Sequence, residues 1–340
     1  MKIIYILPSL EMKGSSTIYE QVDRLSDKGH DVILTSLDEP KSVTSYPLKS
    51  LIAKLDNARD KFSEADVIVG YNPVGAFFVN DLDIEVRKYC LLLDDERKFY
   101  THKYFKLINK TLDDIELEIE YEKQRKFLNA SYKLPIKYIV PNKKLESELK
   151  KKKSKTILAP IGINKELFYP EQFVPKHDVI RLVTFGGTFP WENAELVNRA
   201  LTQLRSFELW TIGGDKPEMK SDKHWRNPNA ETLRRVFSSS DVFISMKDID
   251  GTAETILQAM ACGCAVITVK SDGNEMFCKD GKNCIMIKGR TDEQKIDNLK
   301  ETIETLKQDK ELLETLIQNG LETVKNLDWN IDNLEKGLKK

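Results

Sequence analysis

Short apolar runs bounded by turn residues recur along this chain, with helix-spaced stretches between them. Lys2–Leu7 (KIIYIL) is continuously apolar after its lysine and rich in β-branched residues, as a strand covered on both faces must be. Residues 17–28 then place Ile18, Val22 and Leu25 at helical spacing and stop at Gly29, a fitting helix terminator. Further strands are expected at 32–34, 65–69 and 89–93. The same grammar restarts after residues 169–178, which carry two prolines and no period and read as a linker. Beyond it, strands are expected at Ile180–Phe185, 208–212, Val242–Ser245 and 265–269, with helices over 192–204, Ala230–Ser238 and 252–261. Strands separated by helices imply βαβ units and parallel sheets, so the pattern predicts two α/β halves. The tail from 292 to 340 is helical in pattern, with Leu299, Ile303, Leu306, Leu313, Leu316 and Leu321 as its apolar stripe.

A length of 340 residues suits two domains at roughly 150 residues each. With 40% hydrophobic and 31% charged residues, fibrous, low-complexity and wholly disordered classes are excluded. No apolar stretch approaches the ~18 residues of a membrane span, and the first run is too short for a signal-peptide core. Five cysteines with no CxxC pair argue against a disulfide framework or a structural zinc site. The four histidines (30, 102, 177, 224) are scattered, so no metal cluster or catalytic triad is visible. A reduced, cytoplasmic protein is expected.

The net charge of −1 hides an uneven distribution. From Lys123 to Lys155 there are 12 Lys/Arg and two acids, directly after six acids in residues 111–122. The plain reading is solvated helix faces. The sharper one is a basic surface that meets anionic lipid headgroups or a lipid-linked substrate, which would place the protein peripherally at the inner membrane face. Nucleic acid is not expected as a partner, because aromatics do not interleave with these cations.

Residues 238–284 are the most specific stretch: strand, loop, helix, small-residue turn, strand. The loop at 247–252 lies at the carboxyl end of a strand and the start of a helix, where parallel α/β sheets bind ligands and free N–H groups attract phosphate. Thr252, Glu254 and Gln258 form a polar front on that helix, against an apolar rear of Ile256, Leu257 and Met260. Gly14, Gly186 and Gly187 are turn glycines or points of close phosphate approach. Asp94, Asp95 and Glu96 are an acidic strand end or an acceptor-side site.

This stretch resembles the donor segment of the family 4 glycosyltransferases, which have the GT-B fold. Ser240-Asp241-Val242-Phe243 and Ala259-Met260-Ala261-Cys262-Gly263 match the family's S-D-V-F and A-M-A-C-G in register. Gly29-His30-Asp31-Val32 resembles its G-H-x-V. Pro160-Ile161-Gly162-Ile163-Asn164 with Phe168-Tyr169-Pro170 resembles its n-G-v-D…F-x-P, and Ile212-Gly213-Gly214-Asp215-Lys216-Pro217 its G-x-G-P turn. More loosely, residues 89–100 and 132–140 resemble rhamnosyltransferase-like members.

The resemblance implies two Rossmann-like parallel-sheet domains facing a cleft, with a helical C-terminal tail. Residues 1–170 would form the acceptor domain and 178–320 the donor domain, with a helix in 321–340 packing back on the first. It further implies a retaining hexosyl- or deoxyhexosyltransferase of cell-surface glycan or glycoconjugate synthesis. The donor would be a nucleoside diphosphate sugar and the acceptor a glycan, lipid-linked or other hydroxyl. No cofactor and no obligatory metal would be needed. The family's E-x7-E pair falls on Asp250 and Gln258, with Glu254 one turn before Gln258 on the same face. Asp250, Asp95 and Glu96 are then the catalytic candidates. Gly14, Gly186, Gly187, Thr188, Gly251, Thr252, Ala253, Glu254 and Gln258 are the donor-binding ones. Asp248-Ile249-Asp250 and Asp81-Leu82-Asp83 also fit D-x-D, the metal signature of the GT-A class, which the two-domain pattern disfavours. The chain departs from the family between Phe185 and Glu192, where an Arg and a Lys usually balance the diphosphate and neither is present. That departure leaves a catalytically weak GT-B subunit that binds glycan or a partner as the alternative, with a nucleotide-sugar epimerase behind it.

Overall fold

A computed structural model describes residues 1–10, 15–38, 51–52, 55–171, 179–187, 189–214, 217 and 219–340. The chain divides into two compact units, Met1–Ile161 with Asn330–Lys340, and Gly162–Trp329.

The first unit is built on seven parallel strands among the described residues: β1 (Lys2–Leu7), β2 (Asp31–Ser36), β3 (Leu51–Ile52), β4 (Val67–Tyr71), β5 (Arg87–Leu91), β6 (Lys137–Val140) and β7 (Lys155–Leu158). Their order is β3-β2-β1-β4-β5-β6-β7. β1 lies between β2 and β4, and Ile3 through Leu7 are fully buried, which is why no polar residue interrupts that run. The Gly-His-Asp motif has a packing role. His30 Nε2 lies 3.3 Å from Glu335 Oε1, and Lys28 pairs with Asp332 and Glu335. Together with Arg87 and Tyr89, which donate to the Leu338 and Gly337 carbonyls, they tie helix Asp332–Leu338 into this unit.

The basic run is spread over the end of helix Asp114–Ser131, β6, helix Lys143–Lys151 and β7. Lys123, Arg125, Lys150 and Lys151 each pair with a carboxylate three or four residues before them, as on solvated helix faces. No described helix is long and apolar enough to cross a membrane.

The second unit holds a parallel sheet of β8 (Ile180–Phe185), β9 (Phe207–Gly213), β10 (Lys223–Arg226), β11 (Val242–Ser245), β12 (Ala265–Thr268) and β13 (Ile285–Met286), in the order β10-β9-β8-β11-β12-β13. Helices Asp292–Gln308 and Lys310–Lys325 bury Leu299, Ile303, Leu306 and Leu316 against Leu182, Val197 and Ile267, while Leu313 and Leu321 pack at the margin. At the opposite end of β8 from its carboxyl terminus, Arg181 is 2% exposed. Its Nε bonds Glu208 at 2.8 Å, it lies over the Trp210 ring, and its backbone N–H donates to the Asp241 carboxylate at 2.8 Å. The aspartate of S-D-V-F thus fixes the register of β11 on β8.

The boundary expected at 170 falls inside the second unit. Phe168 is buried, Tyr169 lies under the Arg234 guanidinium, Arg234 pairs with Glu171 at 2.9 Å, and Ile163 bridges to Asp328. Residues 321–329 also stay with this unit, and the chain returns to the first one at Asn330.

Two expected helices start differently. In place of one helix over 192–204 there is a short turn Pro190–Glu192, then Asn193 at φ 53°, then helix Ala194–Leu201. The helix expected from 252 begins at Glu254, because Ala253 is left-handed at φ 51°. Thr252 is therefore a loop residue.

Gly162 shows why its motif carries a glycine. An added Cβ would lie 2.5 Å from Asp328 C and Trp329 Cα, backbone atoms that cannot rotate aside. Gly162→Ala should therefore destabilise the protein by ~1–3 kcal/mol, as overpacking does. Calorimetry should show a lower melting temperature, and an unchanged one would mean that the two segments separate freely.

Candidate functional site

In the second sheet the strand order reverses between β8 and β11, so the crossover helices leave to opposite faces and a crevice opens at the strands' carboxyl ends. The residues at that crevice are Phe185-Gly186-Gly187 after β8 and Met246 to Ala253 after β11. Gly186 N donates to Ile212 O at 2.8 Å, and a Cβ there would meet Pro217 and His224 at 3.2–3.4 Å. Gly187 has φ 95°, a conformation open to glycine at little cost. Gly14 and Thr188 lie outside the described residues.

Two hydrogen bonds fasten the loops together. Asn193 Nδ2 donates to Met246 O at 2.8 Å, and Asp248 N donates to Trp191 O at 3.1 Å. Phe189 stacks on Trp191 with ring centroids 4.8 Å apart and planes at 7°. Lys247, between the two fastened residues, is 6% exposed, with Nζ 3.5 Å above the Phe185 ring centroid.

The next turn is closed by its own aspartate. Asp250 Oδ1 accepts from Ala253 N at 2.8 Å, which holds Ala253 in its left-handed conformation. The Ala253 N–H, expected to hold a diphosphate, is thus directed at Asp250. Gly251 and Ala253 are buried, whereas Asp250, Thr252 and Glu254 are half-buried. Beneath this turn Gly273 N donates to Asp250 O at 2.9 Å, and the Gly273 loop is braced by buried Asn274, whose Nδ2 donates to Val269 O at 2.7 Å.

On helix Glu254–Ala261, Gln258 is 6% exposed and its Nε2 donates to Glu254 Oε1 at 2.9 Å. The two candidates form one unit, an amide hydrogen-bonded to a carboxylate one turn earlier. Behind them, burial pushes the Cys262 thiol up to about 12, and Cys264 Sγ donates to Phe237 O, so both are packing residues. Asp248 pairs loosely with Lys295 at 3.9 Å. Among the described residues no group of three or more His, Cys, Asp or Glu is placed to hold a metal ion.

Asp95 and Glu96 lie in the first unit, in the turn after β5. Asp95 caps helix Glu96–Phe99 and is gripped by Arg97, with Nε to Oδ1 at 2.8 Å and Nη2 to Oδ2 at 2.7 Å. Tyr132 donates to Asp95 at 3.3 Å and receives the Glu96 N–H at 2.9 Å. Burial and these two acids raise the Tyr132 hydroxyl far above its ordinary range. Burial, then Glu96, does the same to Tyr71. Beside this network Tyr100, Tyr121, Arg97, Arg125 and Asn129 line a cavity of about 270 Å³.

Two sheets of Rossmann order on one chain define the GT-B fold. Solved structures agree across the whole length. Sucrose-phosphate synthase from Thermosynechococcus elongatus superposes with a TM-score of 0.74 at 16% identity, covering 99% of this chain and 98% of that one. HepE of Anabaena, in complex with UDP and glucose, gives 0.73 at 11% identity over 100% and 99%. WaaG, a glycosyltransferase involved in lipopolysaccharide biosynthesis, gives 0.72 at 14% over 100% and 99%. Residues 180–309, which contain the whole crevice of the second unit, match the family described as Glycosyl transferases group 1. Curated protein sequences provide no match.

Gly273 escaped the sequence reading, although its Ser-Asp-Gly-Asn setting marks a tight turn. An added Cβ would lie 2.7 Å from Ala253 N and Thr252 C and 2.8 Å from Asp250 O. Gly273→Ala should push the 250–253 turn away and expose the Ala253 amide. Hydrogen exchange at Ala253 should become faster, and unchanged protection would contradict the packing described.

Proposed function

We propose that this chain is a GT-B glycosyltransferase that moves a sugar from a nucleoside diphosphate donor to a hydroxyl acceptor. The observation that carries the reading is the coincidence of the group 1 match with the reversal point of the second sheet. In the reaction the acceptor oxygen bonds to the anomeric carbon as the bond from that carbon to the β-phosphate oxygen breaks. The electron pair leaves with the diphosphate, which takes up the proton that the acceptor hydroxyl gives up.

Gly186 and Gly187 let the donor approach the backbone closely; Gly14 and Thr188, donor-binding candidates of the sequence, lie outside the described residues. Gly251 and Thr252 line the phosphate side of the β11 loop. Glu254 and Gln258 share recognition of the ribose hydroxyls, the carboxylate supplying the charge that Gln258 lacks. Asp250 faces the transferred sugar and Ala253 shapes the turn around it. On the acceptor side Glu96 is the candidate acid, and Asp95, locked by Arg97 and Tyr132, positions it.

Retention of configuration, independence from metal and a role in cell-surface glycan synthesis complete the proposal. WaaG's part in lipopolysaccharide synthesis supports the last, and HepE's complex with UDP and glucose makes uridine nucleotides the first donors to try. One observation favours a weak or inactive subunit instead: between Phe185 and Glu192 there is no Lys or Arg. Thermal-shift screening against UDP, GDP and dTDP and their sugars, followed by donor turnover with glycan acceptors, separates the two. A ligand that binds only the folded state must raise the melting temperature.

For the donor identified in this way, Gln258→Ala should weaken nucleotide binding by about three- to tenfold and Glu254→Ala by at least as much, the range set by neutral and charged hydrogen bonds. Because the two side chains are bonded to each other, the double variant should lose less than the product of the single losses. Wild-type affinity in both single variants would move the donor site elsewhere. EDTA should leave donor binding and turnover nearly unchanged, and a loss reversed only by Mn²⁺ would overturn the GT-B reading of Asp248 and Asp250.

A further inference from the structure

Two cationic side chains are buried among the described residues, Arg181 and Lys247. Arg181 belongs to the far end of β8, where Glu208 and the Ser239 carbonyl receive it. Lys247 is at the opposite end, where the donor reading puts a diphosphate. Residues on either side of it are pinned to the β8 loop, Met246 through Asn193 and Asp248 through Trp191. That pinning sends its ammonium over Phe185, the last residue of β8, directly before the glycine pair.

Two other lysines described at this unit's carboxyl edge are placed differently. Lys270 is 73% exposed and pairs with Glu275, and Lys295 reaches toward Asp248. The crevice also gathers negative charge from Asp248, Asp250 and Glu254, which would repel a phosphate unless a cation stood close by. The β8 loop brings none of its own.

We infer that Lys247 is the cation that holds the donor's diphosphate and receives its charge when the sugar departs. The inference rests on the donor reading above. The charge has moved from the loop after β8, where the resemblance expects it, to the loop after β11. A buried ammonium over the aromatic ring that precedes the glycine pair is a pre-positioned counter-charge of the kind that stabilises a leaving phosphate. The Phe185 ring fixes its height, and Gly186 and Gly187 leave room for the phosphate oxygens. A nucleoside without phosphates would gain nothing from it.

The test uses isothermal titration of UDP, GDP, dTDP and inorganic pyrophosphate, with uridine, guanosine and thymidine as phosphate-free probes. Lys247→Met keeps the length and burial of the side chain, and Lys247→Arg keeps the charge. For the nucleotide that the wild type binds, Lys247→Met should lose about 10- to 100-fold in affinity, as expected for a hydrogen bond to a charged group. Binding of the matching nucleoside should change less than about twofold, and Lys247→Arg should recover much of the diphosphate affinity. Wild-type binding of the diphosphate in Lys247→Met, or equal loss for diphosphate and nucleoside, would overturn the inference while leaving the donor reading intact. No binding of any diphosphate by the wild type would overturn the donor reading itself.

Discussion

β8 has β9 on one side and β11 on the other, with all three parallel, and this arrangement governs the second unit. Right-handed crossovers must leave such a strand to opposite faces of the sheet, so its carboxyl end cannot be roofed by a helix. The loops that flank the opening then have to be held by their own bonds. Asn193 and Asp248 supply two such bonds, and Asp250 closes the following turn on Ala253. A site that is open yet rigid follows from the topology together with a few polar contacts.

The central strands were legible because burial on both faces favours near-continuous apolar, β-branched runs, so the IIYIL and VFI segments read as strands on composition alone. The edge strands were not. β10 (KHWR) and β7 (KTIL) are partly exposed, carry lysine, and lose the apolar continuity that marks an inner strand. Asn193 and Ala253 concealed the true starts of two helices, since neither is a glycine and only local hydrogen bonding reveals their left-handed backbone. Asp95 read as part of an acidic strand end or an acceptor-side site, and the grip of Arg97 two residues later is a pairing that spacing did not disclose. Lys247 and Lys270 are both offered by the sequence as counter-charges, and the burial that distinguishes Lys247 becomes visible only once β8 and β11 are neighbours.

The proposed donor site differs from the motif that the sequence resembles at two places. Where the family places a carboxylate, this chain has Gln258, and a hydrogen bond returns the charge through Glu254. Where the family places cations after β8, this chain has glycines, aromatics and Glu192, and a buried lysine stands across the crevice. On the proposed reading, each change removes a charge at one position and supplies it from a neighbouring element.

The central claim is that a nucleoside diphosphate occupies the reversal point of the second sheet. Hydrogen–deuterium exchange with and without saturating nucleotide tests it directly. Added protection is expected only in residues 185–193 and 246–258, the two fastened loops and the helix that follows. Protection confined to other segments, with these unchanged in the presence of bound nucleotide, would contradict it.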